Sequence, residues 1–154
     1  MAYDSSRQKT WMFGSGGSSW DTGGNELWHF DSVTKLWTKI IANGSVPPAR
    51  LYHGFVYLPS YDKFILYGGA AGYGSSYTKY NDTWVYSPTS NTWTQLSTTV
   101  APTATQMIGM VYDSVNNVII VAIENEQFWL FRYAERVSDI DITPPAAPSG
   151  LSVS

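Results

Sequence analysis

The chain repeats itself at intervals of about 55 residues, and this repeat limits its fold more than its composition does. An aromatic residue, a polar turn and a hydrophobic run begin at Tyr3, and the same pattern returns at Tyr57 and at Tyr112. Each copy is typical of two short strands joined by a tight turn. A repeat of this length indicates supersecondary units that stack on one another, because one unit cannot bury its hydrophobic face alone.

The second half of the repeat predicts two further strands. Residues 25–39 align with residues 81–95, and both segments carry alternating aromatic residues, a polar turn and a final Trp. Alternation with a period of two is typical of a strand that has two different faces. The third copy keeps an aromatic strand at 127–131 but has Ser138 in the place of the final Trp. Four strands in each complete unit predict an all-β fold of β-propeller blades, which are four-stranded antiparallel sheets.

The motifs of the repeat resemble those of the kelch family. A hydrophobic run ends in Gly68-Gly69, six residues separate an aromatic residue from a Trp in both complete copies, and the Arg-Leu-Tyr-His segment at 50–53 is similar to the start of a kelch blade. The resemblance covers residues 1–133 and implies a kelch-type propeller. The first copy departs from the pattern with Gly-Ser-Gly-Gly at 14–17, and the third with Ala-Ile at 122–123. The residues that define the repeat are Trp28, Phe30, Trp37, Gly68, Gly69, Trp84, Tyr86, Trp93 and Trp129.

The repeat predicts two and a half to three blades followed by a tail. Three prolines within residues 144–148 cannot pair inside a sheet, so the third blade is expected to lack its fourth strand. Open blade arrays expose apolar faces, so we expect a larger propeller or one that is completed by other copies. The predicted units are blade 1 at 1–41 with a truncated first strand, blade 2 with its connecting segment at 42–98, partial blade 3 at 99–134, a Pro-rich linker at 135–149, and 150–154, which resembles the start of a fibronectin type III module.

Charge and hydropathy argue against two classes of partner. Charged residues make up 14% of the chain and the net charge is -3, with no long run of either sign, so the sequence does not favour nucleic acid. No apolar stretch is long enough to cross a membrane, and residues 1–4 carry no signal-peptide pattern. We therefore expect neither nucleic-acid binding nor membrane insertion, and no export signal within this stretch.

The residues that could support catalysis or metal binding are few. The chain has no cysteine, which excludes thiolate metal sites and the Tyr–Cys radical cofactor of the copper oxidases that resemble kelch propellers. His29 lies in a strand and His53 at a blade start, and neither has metal-ligand spacing to a partner. The sequence therefore predicts no catalytic residue, no metal and no cofactor. The alternative is a fragment of a propeller enzyme, polysaccharide-active or oxidase, whose catalytic residues lie outside this stretch.

Two long loops form the candidate binding surface. Residues 18–24 and 71–80 set aromatic side chains among Gly and Ser at the same end of adjacent blades, and such loops on a rigid scaffold are typical of binding sites. We predict a non-catalytic binding or scaffolding module of a modular bacterial protein, extracellular or at the cell surface, that engages a protein or glycan there. A further alternative is a self-assembling subunit that closes a ring or builds a fibre through blade edges. The predicted ligand-binding residues are Trp20, Asp21, Arg50, Tyr73, Tyr77 and Tyr80.

Overall fold

The structure, a computed structural model, describes residues 1–14, 23–72, 78–98, 101–104, 108–123 and 127–133. All regular structure in these residues is antiparallel β-sheet, in three sheets whose strand order follows the chain, which confirms the predicted all-β fold of antiparallel blades. Among the same residues, no helix is long and apolar enough to cross a membrane. Blade 1 contains β1 (Ala2–Asp4), β2 (Lys9–Phe13), β3 (Leu27–Asp31) and β4 (Leu36–Ile40); blade 2 contains β5 (Gly54–Leu58), β6 (Lys63–Ala71), β7 (Thr78–Ser87) and β8 (Thr92–Leu96); blade 3 contains β9 (Gly109–Asp113), β10 (Val118–Ile123) and β11 (Gln127–Phe131).

The hairpin turns share one backbone geometry. In the turns that join the first two strands of each blade, the last turn residue is left-handed, as at Asp62 (φ 50°) and Asn117 (φ 51°). Asn91 holds the same conformation (φ 54°) between β7 and β8. A Tyr five residues earlier donates its hydroxyl to each of these three side chains, at 2.8–3.0 Å. Asp and Asn tolerate this region because their short polar side chains bond locally.

The spacing between the aromatic residue and the Trp follows from strand pairing. Tyr86 lies directly opposite Trp93 across β7 and β8, and Phe30 lies opposite Trp37 across β3 and β4. The ring centroids are 5.1 Å apart in the first pair and 5.3 Å in the second. Such cross-strand aromatic pairs stabilise a sheet, and here they fix the register of the outer hairpin of each complete blade.

Each blade has two faces, and the blades stack front to rear. The front face of blade 2, with Trp84, Tyr86 and Trp93, packs on Trp11 and Phe13 at the rear face of blade 1. The rear face of blade 2 packs on the front face of blade 3 in a second apolar cluster, in which Trp129 is partly buried. The core therefore lies between the sheets, and blade 2 is the only described blade that is covered on both faces.

The Gly pair of the repeat lies in a bulge of the longest inner strand. Gly68 and Gly69 have φ angles of +61° and +92°, and the register of β6 against β7 shifts between Tyr67 and Gly69. Both φ values favour glycine, which explains why the hydrophobic run ends in this pair. The predicted linker at 135–149 and the fibronectin-like segment at 150–154 lie outside the described residues.

Candidate functional site at the loop end

The loop end of the molecule, opposite the hairpin turns, is organised around a buried arginine. Arg50 lies in the segment that connects blade 1 to blade 2, and its side chain is fully buried. Its Nε donates to the carbonyl of Pro48 at 3.1 Å, and its Nη1 donates to the carbonyl of Gly68 at 2.9 Å. Arg50 therefore ties the connecting segment to the bulge of β6.

Asp82 neutralises the charge of Arg50. Nη1 and Nη2 of the guanidinium donate to Oδ1 and Oδ2 of Asp82 at 2.5 and 2.9 Å, a bidentate geometry. The indole Nε1 of Trp84 donates to Oδ2 of the same carboxylate at 2.7 Å. Burial acts to raise the pKa of Asp82, but these hydrogen bonds hold it below its usual value. The carboxylate is thus ionised at neutral pH and its partners are saturated.

Two tyrosines lie beside this ion pair. The ring of Tyr80, near the start of β7, lies 4.1 Å from the guanidinium carbon of Arg50, within the range of a cation–π contact. Tyr52 is half exposed and has a φ of +59°, which is a backbone outlier for a bulky residue. The carbonyl of Tyr52 accepts a hydrogen bond from the backbone N–H of Ile108 at 3.1 Å. Residues in such sparsely populated conformations cluster at functional sites.

The segment around Arg50 packs tightly on its neighbours. A side chain at Gly69 would place its Cβ 2.6 Å from the carbonyl oxygen of Leu51, and one at Gly23 would lie 2.8 Å from the carbonyl carbon of Arg50. Leu51 pairs with Ala70 through two backbone hydrogen bonds of 2.8 and 2.9 Å. The connecting segment is therefore held by backbone contacts as well as by the ion pair.

His53 closes the inner side of the same segment. Its ring packs edge-on against Phe13 at 5.5 Å and bonds to the backbone of Phe13. Burial, reinforced by the positive charges of the N-terminus and Arg50, lowers its pKa to about 4. His53 is thus neutral at physiological pH. His29 is also buried, packs against Trp11 at 5.2 Å, and has a pKa that burial lowers. Both histidines therefore have structural surroundings.

An open groove of about 450 Å³ runs beside Asp82 at the outer edge of blade 2. Its lining is mostly uncharged and polar, with the side chains of Asn81, Gln95 and Thr98 beside the Asp82 carboxylate. Amide and hydroxyl groups both donate and accept hydrogen bonds. This groove can bind polar backbone or hydroxyl groups, but it places no nucleophile beside a free general base.

The opposite end of the molecule carries a second ionic cluster that links blades 1 and 2. Arg7 donates to both carboxylate oxygens of Asp62 at 2.6 and 2.7 Å and to Asp4 at 2.9 Å. The bonds from Arg7 hold the pKa of Asp62 well below its usual range, and Asp62 in turn raises that of Arg7. Tyr57 and Thr89 also donate to Asp62. The charges at the turn end are therefore consumed between the blades.

The described residues bring together only part of the predicted site. Tyr80 and Arg50 lie in contact, with Arg50 inside the protein rather than on its surface. The other four predicted ligand residues, Trp20, Asp21, Tyr73 and Tyr77, lie outside the described residues, and the assignment of all six as ligand contacts stays a prediction.

Sequence reasoning missed Tyr52 and Asp82. Nothing in the residue type of Tyr52 indicates a left-handed backbone. A signal for Asp82 does exist, because both complete repeats carry an acidic residue two positions before the strand Trp: Glu26 before Trp28 and Asp82 before Trp84. In both copies that acid accepts a hydrogen bond from the indole. Over the described ranges, no cluster of three or more His, Asp or Glu side chains could hold a metal ion.

Comparison with known proteins supports the repeat. The family profile described as "KLHDC2/KLHL20/DRC7 Kelch-repeats domain" matches residues 2–128. This match includes all three sheets except the last residues of β11. Among curated proteins, no sequence matches the chain significantly.

Proposed function

We propose a binding function for this chain on the premise that it belongs to the kelch-repeat family. Kelch-repeat domains are generally non-catalytic modules that bind proteins. We infer that this chain is such a protein-binding module and that its ligand binds at the loop end. Fold alone does not assign function, so the proposal depends on the surface that the blades present there.

The observation that carries the proposal is the rigid support beneath the exposed Tyr52. The carboxylate of Asp82 neutralises Arg50, and the Arg50 guanidinium in turn lies against the Tyr80 ring. Tyr52 follows two residues after Arg50, in a strained conformation that the neighbouring backbone holds in place. Aromatic rings on a rigid scaffold offer contact area at a low entropic cost, which is the property of binding anchors.

The proposed ligand is an extended protein segment. The groove beside Asp82 carries amide and hydroxyl groups that suit a peptide backbone, and Tyr52 and Tyr80 suit an apolar anchor. Sugar rings also stack on aromatic faces, so a glycan ligand is the second candidate. The two ligand classes are separated by measurement.

Short random peptides displayed on phage, selected against the immobilised chain, test the protein-binding proposal. Peptides that bind should lose at least about tenfold in affinity to Tyr52→Asn, because Asn keeps the left-handed backbone but removes the ring. Tyr80→Ala should weaken binding as well. Val33→Asn is the control, since Val33 is an exposed residue in a turn at the opposite end.

Selected peptides that bind the Tyr52→Asn and Tyr80→Ala variants as well as the unaltered chain would contradict the loop-end site. Binding to an array of glycans that is lost in the same two variants, with no peptide selected, would favour the glycan candidate.

We further propose that the module belongs to a modular bacterial protein at the cell surface or outside the cell. The support is the resemblance of residues 150–154 to the start of a fibronectin type III module. Protease treatment of intact source cells should then remove the protein while a cytosolic enzyme survives. Protection of both proteins would contradict this location.

A further inference from the structure

The two blade interfaces repeat one pattern of contacts. At the first interface Trp93 of blade 2 packs 5.2 Å from Phe13 of blade 1, in a cluster that includes Leu27. At the turn end of the same interface, the hydroxyl of Tyr57 donates to Ser6 at 3.1 Å. The repeat therefore specifies which position of a front face meets which position of a rear face.

The front face of blade 1 is uncovered. Its strand register brings Tyr3, Thr10, Phe30 and Trp37 into one row across the sheet. The exposed fraction of Trp37 is 46%, whereas that of Trp93, at the same position of blade 2, is 6%. Tyr3 is 59% exposed. An apolar row of this kind on a monomer marks an interface.

The rear face of blade 3 is uncovered as well. Ile120, Ala122 and Phe128 occupy the positions that Trp11, Phe13 and Leu27 hold in blade 1. Phe128 is 49% exposed, and Val115 in the adjacent turn is 90% exposed. Val115 corresponds to Ser6, the residue that meets Tyr57 across the first interface.

We propose that two copies of this chain close one six-bladed ring. The front face of blade 1 in each copy packs on the rear face of blade 3 in the other. A ring of identical copies that each supply three blades must contain a multiple of three blades. Propellers have between about four and eight blades, so six is the only such number. Two copies then form two identical interfaces about one twofold axis.

The repeat assigns the contacts of the new interface. Trp37 of one copy meets Ala122 and Phe128 of the other, as Trp93 meets Phe13 and Leu27 within the chain. Tyr3 meets Val115, as Tyr57 meets Ser6. Both contacts join apolar side chains that are exposed in the single chain.

The charge pattern fits the same assignment. The Arg7–Asp62 ion pair joins blades 1 and 2 at the turn end, and the corresponding positions of the new interface hold Asn116 and Gln8. Two neutral amides face each other there, so the closure places no like charges together and leaves no unpaired charge. A covering blade of different sequence would have no reason to match these positions.

The experiment measures the mass of the whole chain by light scattering behind size exclusion, over a range of protein concentrations. We expect a discrete species of twice 17.1 kDa. Trp37→Glu and Phe128→Lys should each give a folded monomer, because each buries a charge at both interfaces of the dimer. Leu36→Glu is the matched control, since Leu36 is exposed on the same strand but lies outside the front-face row, and it should leave the dimer intact.

Mixing the Trp37→Glu and Phe128→Lys variants gives a stricter test. In a mixed dimer, one interface joins the two substituted positions, which then carry opposite charges, and the other interface keeps the unaltered Trp37 and Phe128. The mixture should therefore recover the dimer that each variant alone has lost. Three results would overturn the proposal: a folded monomer of the unaltered chain at all concentrations, open-ended oligomers instead of a discrete dimer, or a mixture that stays monomeric although both variants are folded by circular dichroism.

Discussion

Arg50 shows what a single buried charge contributes to this fold. The guanidinium is fully buried and its charge is balanced by Asp82, whose side chain is only 17% exposed. Such a pair adds little net stability over an apolar pair, but the loss of one partner leaves a buried charge uncompensated. In blade 1 the same position of the repeat holds Glu26, which pairs with Lys39 near the surface.

Asp82→Asn should therefore destabilise the chain far more than Glu26→Gln. We expect a loss of about 3 kcal/mol in the free energy of unfolding for Asp82→Asn. For Glu26→Gln we expect less than about 1 kcal/mol, because that ion pair is solvated. Urea denaturation followed by tryptophan fluorescence measures both. Equal shifts of the two midpoints would show that burial of the Arg50 pair has no special weight.

His53 should make the stability of the protein depend on pH. Its pKa in the folded chain is about 4, below the ordinary value of 6.5, so the unfolded chain binds more protons between these values. The stability that neutral His53 contributes is complete above pH 6.5 and is lost as the pH falls towards 4, by about 3 kcal/mol in total. The urea midpoint of the unaltered chain should fall across this window more steeply than that of His53→Phe.

The comparison removes the other titrating groups, because they are shared by both proteins. Parallel pH profiles for the unaltered chain and His53→Phe would contradict the assignment of this transition to His53.

At the scale of the element, turn chemistry explains some positions better than others. Asp62, Asn91 and Asn117 are residue types that favour turns and left-handed backbone, and the sequence indicates them. Gln8 and Lys35 adopt the same conformation (φ 54° and 60°) without that preference, because the repeat of the blade imposes the turn on them. The sequence predicts these turns only through their alignment with the other copies.

The bulge of β6 depends on glycine for two separate reasons, and a pair of variants distinguishes them. Gly69→Ala meets both a positive φ and the carbonyl of Leu51 at 2.6 Å, whereas Gly44→Ala meets a positive φ with nothing within 4 Å of its Cβ. We expect Gly44→Ala to cost about 1 kcal/mol from backbone strain. Gly69→Ala should cost at least about 2 kcal/mol more, since the connecting segment must shift.

Thermal and urea unfolding of the two variants measure the difference. If both alanines cost the same, backbone conformation alone explains the Gly pair, and the close approach of the connecting segment is unimportant.

At the scale of the whole molecule, the stability of each residue depends on its neighbouring blade. Trp37 and Trp93 occupy the same position of the repeat, but only Trp93 lies between two sheets. Trp93→Ala should cost about 4 kcal/mol, because it empties a position in the core. Trp37→Ala should cost less than about 1 kcal/mol when unfolding is measured at a concentration where the chain is monomeric.

A large loss for Trp37→Ala in the monomer would mean that the front face of blade 1 is already packed within one chain. That result would also remove the basis for ring closure by a second copy.

The fold and the site differ in how far the sequence predicts them. The strands and blades follow from period-two alternation, from turn residues and from the recurrence of both, which are local features that chain neighbours express without the rest of the molecule. The match of residues 2–128 to a kelch family shows that this local pattern is enough to identify the architecture. Arg50 and Asp82 are 32 residues apart in the chain, and no local rule pairs them.

Only the tertiary structure decided which chemically similar residues became core and which became surface. Trp93 is buried and Trp37 exposed because one faces a neighbouring sheet and the other does not. Arg50 resembles a ligand-binding residue in sequence, yet folding encloses it and supplies Asp82 as its counterion. Burial and ion pairing depend on which blade lies against which, and that information arises from contacts between residues that are distant along the chain.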